Sequence, residues 1–232
     1  MLLGIRSRST IVLRHLCVAG LTVGLWYLFW MSRPEWHPEM RMWRAFGDAS
    51  FMLLFMSMIL GPAARIWPRL LALVPWRREL GIWFALSALV HGYLVWVGWA
   101  RWDVWRFLGY EFIPQVGQRA FFYPGFGLAN LMGAVALAGA LPLAGTSSDM
   151  AVTFLGIASW KWLHSFAYVV FYLVALHGVY FLFLHYAPSF HRSVPPDPNW
   201  FRFYFLAMTV LVPAAQLSAF TRTVRARRRS GM

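Results

Sequence analysis

The residues of this sequence best placed to do chemistry are histidines. Of seven in the chain, His91, His164 and His177 fall inside or at the edge of long apolar runs. Ionisable groups in such runs are costly to bury and tend to mark function. His91 lies eleven residues into the run 81–100, roughly 16 Å from its start at about 1.5 Å per residue. His177 lies about fifteen residues into the run 162–184, roughly 22 Å from its start. If both runs are helices pointing the same way, the two imidazoles reach comparable depths. Neutral imidazole ligates heme iron well, and helical proteins build cofactor sites from facing side chains. Two histidines on different helices at matched depth suit bis-histidine ligation, which fills both axial positions and favours electron transfer over oxygen chemistry. One such histidine alone would read more simply as a structural hydrogen-bonder.

His164 stands within the first turn of the same run as His177, thirteen residues before it. That is about 20 Å of axial rise, enough to separate two stacked hemes, but an ideal helix turns the two side chains about 140° apart. Both serve stacked sites only if those sites are rotated or the helix bends. His185 ends that run and reads as an interface residue. His15, His37 and His191 read as surface residues.

The elements that must position these groups are membrane helices. The chain has 232 residues, 60% hydrophobic and 12% charged, about half the charged share of a soluble domain. Six apolar runs approach or reach the roughly 20 residues that cross a hydrocarbon core. They lie at about 12–31, 46–64, 81–100, 122–145, 162–184 and 202–220, the last with Pro213 as an expected kink. The fold class expected is all-α, an integral membrane bundle of six transmembrane helices forming one domain. The N-terminal run, which enters Trp26, Tyr27 and Trp30 without a small-x-small cleavage site, reads as a retained first helix. The segment 101–121 is long enough for a short interfacial helix, with Trp102, Trp105 and Phe107 facing the membrane. The proline-rich stretch 186–200 reads as an outer loop.

The net charge of +13 does not imply nucleic acid, because the charges sit between the apolar runs and at the ends. Of 21 Lys and Arg, thirteen lie on one side of this topology and eight on the other. The positive-inside rule then puts both termini in the cytoplasm. Trp96, Trp99, Trp102 and Trp105 cluster where the third run should leave the membrane, as indole favours the headgroup region; Trp83 reads as core packing. The single cysteine, Cys17, excludes an internal disulfide and a cysteine-based metal cluster. Asp48 reads as a helix-end cap, so no buried acidic residue is expected for proton coupling. Gly125-Phe126-Gly127 lacks the remainder of a dinucleotide motif and reads as close helix packing.

A family resemblance rests on further residues. Arg77-Arg78-Glu79-Leu80-Gly81-Ile82-Trp83 leads to Leu89-Val90-His91-Gly92-Tyr93. Thr146-Ser147 leads through Gly156, Trp160 and Leu163-His164 to Tyr168 and His177, and Gly47, Gly61-Pro62 and Ala64-Arg65 fit the same pattern. Together these resemble the ferric-reductase-like transmembrane domain over about 45–185. Within that family the chain is most similar to the MsrQ branch, heme-binding membrane subunits of a protein-methionine-sulfoxide reductase system.

The resemblance implies a six-helix bundle whose third and fifth helices hold heme b. His91, His164 and His177 match ligand positions, with His91 and His177 as the first pair and His164 serving a second heme. It implies an electron-transfer subunit in a bacterial inner membrane rather than a catalyst alone. Quinol or a cytoplasmic flavin reductase would supply electrons to a periplasmic molybdopterin reductase partner, and FMN is a further cofactor of that branch. The family often carries another histidine on the third helix about fourteen residues before the first, where this sequence has Arg77, so a heme at His164 would need another ligand. The run of sequence ends after the sixth helix, which leads us to expect no soluble FAD/NADPH domain and an external donor. Two readings compete: a stand-alone ferric or oxygen reductase of the same family, and a non-redox membrane protein with structural histidines.

Overall fold

The computed structural model describes residues 8–121, 124–185 and 199–229. The described residues are all-α apart from one small hairpin, and they hold six helices long and apolar enough to cross a membrane: Ser9–Met31, Pro38–Ile66, Pro68–Ala100, Gly125–Gly145, Ile157–Leu184 and Phe201–Arg229. Each coincides with one of the six runs read from the sequence, the fourth from Gly125 onward. Residues such as Leu13, Leu16, Val135, Leu176 and Leu217 are exposed although large and apolar. A soluble protein would bury such surfaces; lipid-facing helices leave them outward.

In chain order the elements are α1 (Arg8–Met31), α2 (Pro38–Ile66), a 3-10 segment (Pro68–Trp76), α3 (Arg77–Leu94) and a π-helical end (Val95–Ala100). Then come α4 (Val104–Phe107), β1 (Tyr110–Ile113), β2 (Gln118–Phe121), α5 (Pro124–Gly145), α6 (Asp149–Leu155) and α7 (Ile157–Ser165). Last are α8 (Ala167–Val179), a second π-helical end (Tyr180–Leu184) and α9 (Phe201–Arg229). Pro213 lies within α9, which continues helical past it. At about 1.5 Å per residue, α9 measures about 43 Å, longer than the roughly 30 Å hydrocarbon core.

The segment 101–121 differs from expectation. It forms one helical turn, α4, and an antiparallel hairpin pairing Tyr110 with Phe121 and Ile113 with Gln118. Asp103 starts α4: its carboxylate accepts from the Trp105 and Arg106 amides and so caps the N-terminus of the turn, and the chain then leaves through Gly109 at a φ of 92°. Trp102 and Trp105 are exposed, whereas Phe107 packs against Trp96 at 5.4 Å and does not join them on an outward face.

The residues divide into two compact units, 1–87 with 210–232, and 88–209. In the first, α1 and α2 form an antiparallel pair, with Trp26 against Phe46 at 5.5 Å. Its most polar contact is the ion pair of Arg33 with Asp48 at 2.7 Å, both side chains almost wholly buried. Arg33 also lies over Trp36 and Phe29, at 4.9 and 5.8 Å. Asp48 is therefore no cap; it sits well inside α2 and neutralises a buried guanidinium. Glu79 is likewise fully buried on α3, so buried acidic groups are present where none was expected. The reason is tertiary: each sits near the end of an apolar run, and only helix packing covers it. His15 is half-buried and accepts from Trp83 Nε1 at 3.3 Å, whereas His37 is exposed; His191 falls outside the described residues.

Removing one member of a buried pair strands the other charge, which costs about 3–5 kcal/mol. Asp48→Ala should lower thermal stability in detergent by that order. The double replacement Arg33→Met with Asp48→Leu should recover most of the loss, as read from paired melting curves.

Candidate functional site

The unit 88–209 contains His91, His164, His177 and His185. Its frame is the antiparallel packing of α5 on α8. The α5 face bears Ala129, Gly133, Ala136 and Ala140, spaced to share one side of a helix, and the three alanines are buried. Small residues at this spacing let helix backbones approach closely. Further along α5, Gly139 lies beside Val170, where a Cβ would stand 3.1 Å from its methyl group.

This close approach seats His177. Its Nδ1 lies 2.8 Å from the Ala129 carbonyl oxygen. A carbonyl only accepts, so Nδ1 carries the proton and Nε2 keeps the lone pair. Side chains on a helix tilt toward its N-terminus, so a side chain at position 133 would cover the carbonyl one turn below. A Cβ on Gly133 would indeed meet His177 Nδ1 at 2.8 Å and Cε1 at 2.9 Å. Glycine at 133 is what exposes the Ala129 oxygen to the imidazole.

His91 faces this ring. The two ring centroids are 6.3 Å apart, with planes at 80°. Each histidine is half-buried. A metal–imidazole bond of about 2.0–2.1 Å, plus about 1.1 Å from the nitrogen to its ring centre, taken on both sides of one metal, gives about 6.3 Å. The spacing is therefore that of two imidazoles able to share one iron. The tautomer agrees, since ligating histidines characteristically donate their other N–H to a carbonyl or carboxylate. Among the described residues no three His, Cys, Asp or Glu side chains gather to hold a metal ion. Two imidazoles alone suit a metal whose remaining ligands come with it, as in a porphyrin.

Both histidine-bearing helices change pitch just beyond the pair. His91 precedes the π-helical turn Val95–Ala100, and His177 precedes Tyr180–Leu184. Such π turns concentrate at functional sites. Beyond His177 the rings continue outward: Phe181 lies 4.9 Å from it, Phe126 lies 5.1 Å from Phe181, and Trp99 lies 4.3 Å from Phe126. His185 joins this cluster, 5.2 Å from Phe126. The Gly125-Phe126-Gly127 stretch packs closely, as expected: a Cβ on Gly125 would stand 2.6 Å from the Tyr180 ring, and one on Gly127 would strike the Leu108 carbonyl.

His164 belongs to another cluster, on α7. Trp160 stacks on it at 4.0 Å, with 26° between planes. Thr146 Oγ1 donates to the Pro142 carbonyl at 2.7 Å, which leaves its lone pairs to accept from His164 Nε2 at 3.2 Å. Trp160 Nε1 donates to the Thr146 carbonyl at 2.9 Å. Between His164 and His177 the helix is interrupted at Phe166, where α7 ends and α8 begins. The structure thus brings His91 and His177 together and holds His164 in a hydrogen-bonded stack of its own. Gly133, the Ala129 carbonyl and Phe181 were not singled out in the sequence. The only signal for them was the Gly/Ala spacing of the fourth run.

Comparison with known proteins adds a family. The family described as ferric reductase like transmembrane component matches residues 45–175. The chain is also 31% identical over 136 residues, 59% of its length, to "Magnetosome protein MamZ" of Paramagnetospirillum magneticum (strain ATCC 700264 / AMB-1). It spans only 19% of that protein. No solved structure matches.

A branched side chain at 133 would push the His177 ring off the Ala129 carbonyl. Loss of such a supporting contact typically costs 10- to 100-fold in metal affinity. Any metal or heme that this pair retains should therefore fall by about 10-fold or more in Gly133→Val, measured as iron and pyridine hemochrome per protein against wild type.

Proposed function

This chain belongs to the ferric reductase like transmembrane component family, and we propose that it is a heme b electron-transfer subunit with His91 and His177 as the axial pair. The observation that carries this reading is the 6.3 Å spacing of the two rings, together with the His177 tautomer set by Ala129. Heme b held there would supply a one-electron centre with both axial sites filled, suited to outer-sphere transfer rather than oxygen binding. The protein's part would be to hold the two imidazoles 6.3 Å apart, with Gly133 giving His177 its place. Lipid-facing helices surround that site with a low dielectric, which strengthens its electrostatics.

The finer reading is MsrQ-like. Both termini lie in the cytoplasm of a bacterial inner membrane, on the side richer in Lys and Arg. Electrons enter there from quinol or a flavin reductase, with FMN as a further carrier. They leave at the α4–hairpin end toward a periplasmic molybdopterin reductase that repairs methionine sulfoxide in proteins. The motif from Arg77 to His91 and the one from Thr146 to His177 support this assignment. In this reading the chain carries one heme. Arg77 stands where the family's other histidine would be; its Nε donates to the Ser57 carbonyl at 2.8 Å. His164 Nε2 is taken up by Thr146.

The test is the oxidised and dithionite-reduced absorption spectrum of the purified protein beside His91→Ala, His177→Ala and His164→Ala. The expected result is a sharp b-type α-band lost in the first two variants and retained in the third. A colourless wild type after expression with ample heme overturns the proposal and leaves the non-redox reading. Turnover of ferric ion or oxygen without any partner favours the stand-alone reductase instead.

A further inference from the structure

The α4–hairpin end of the 88–209 unit holds a cation that the histidine pair does not explain. Arg106, at half-burial on α4, lies over the Trp99 ring with its guanidinium carbon 5.3 Å from the ring centre. Its Nε is buried and has no hydrogen-bond partner. The indole face attracts a cation but accepts no hydrogen bond comparable to an oxygen. A guanidinium stays protonated, and a buried donor left without an acceptor is costly. The nearest carboxylate in sequence is already engaged: Asp103 caps α4 and pairs with Arg119 at 3.3 Å. Among the described residues of this unit, Arg106 is the one cation with a buried guanidinium nitrogen lacking a partner. Arg119 has Asp103, and Arg202 lies over Phe203 at 4.6 Å.

This orphaned donor stands at the end of an aromatic series that begins at the site. His177 touches Phe181, Phe181 touches Phe126, and Phe126 touches Trp99, beneath Arg106. A flat apolar macrocycle with carboxylates along one edge is the ligand shape that such a wall and such a cation fit. That edge must point to one of the unit's two polar ends. At the α7 end the cation is Lys161, exposed, and His164 Nε2 already has an acceptor in Thr146. At the hairpin end a donor is buried and waiting.

We propose that Arg106 binds a heme propionate, so that the propionate edge faces the α4–hairpin end and Trp99 and Phe126 line the approach. The inference rests on the heme reading above. Arg106 is an anchor and a positioning residue, with no part in iron ligation.

The test uses the full-length holoprotein in detergent, with Arg106→Gln, Arg106→Lys and Lys161→Gln beside wild type. Each is loaded with protoheme or with its dimethyl ester, in which both carboxylates are blocked. Heme transfer to apomyoglobin and midpoint potential are the readouts. A hydrogen bond to a charged group is worth enough for a change of about 10- to 100-fold. With protoheme, Arg106→Gln should release heme faster by about that factor, and its midpoint should move negative, because a nearby cation stabilises the reduced centre. Arg106→Lys should recover part of the retention, and Lys161→Gln should match wild type. With the ester, wild type should lose its advantage over Arg106→Gln. Equal behaviour of Arg106→Gln and wild type with protoheme overturns the inference while leaving the heme assignment intact. So does a deficit that persists with the ester, or one confined to Lys161→Gln. Should Arg106→Gln fail to fold, wild type decides alone: equal retention of protoheme and ester overturns the inference. Absence of any α-band in wild type removes the heme assignment and this inference with it.

Discussion

The hydrogen bond from His177 Nδ1 to the Ala129 carbonyl is the contact on which the site depends. It joins α8 to α5 in an apolar setting where an unpaired imidazole N–H would be expensive. It exists only because α5 presents alanines and Gly133 along one face, so that the backbones come close enough for a ring to reach a helical carbonyl. The same bond chooses the tautomer and aims Nε2. Helix packing, the hydrogen bond and the orientation of the His177 ring meet on this one face of α5.

Elsewhere the chain handles polar groups in apolar surroundings by the same means, pairing them within the protein. Arg33 and Asp48 neutralise each other between Phe29 and Trp36. Serine hydroxyls spend their protons on carbonyls of neighbouring helices, Ser50 on Phe84 and Ser87 on Phe46. Arg222 donates to the Ile66 carbonyl at 2.7 Å, satisfying an oxygen left open at the end of α2. The ion pair and the two serine bonds let helices carry polar residues without exposing them to lipid.

The site itself combines rigidity with local irregularity. His91 and His177 sit on regular helix, but both helices pass into π turns directly beyond them. A π turn shifts every later side chain around the helix relative to α-helical phase. Trp99 and Phe181 fall in these turns, and both belong to the aromatic series that runs from His177 to Arg106. α4, just before the hairpin, is tied back to α5 by Asn130 Nδ2 donating to the Phe107 carbonyl at 2.8 Å.

Much of this was legible in the residues. Six spans follow from uninterrupted apolar runs, because length against bilayer thickness is a local property of the chain. His91 and His177 stood out because imidazole is costly at that depth, and a count of residues along each helix matched their levels. Depth is set by rise per residue, so it can be read without knowing the neighbours. Azimuth cannot. Which nitrogen of His177 faces inward, that His164 turns to Thr146 and Trp160, and that Asp48 meets Arg33 rather than capping a helix all depend on which helix lies alongside. The π turns and the hairpin at 110–121 likewise answer to tertiary contacts that local propensity does not encode. The spans and the depth of the two imidazoles follow from one-dimensional spacing, and so could be read from the residues alone. That the two rings stand 6.3 Å apart does not follow from spacing, because it depends on how α3 and α8 lie relative to each other, and the seat of the His177 ring depends on Gly133 of α5.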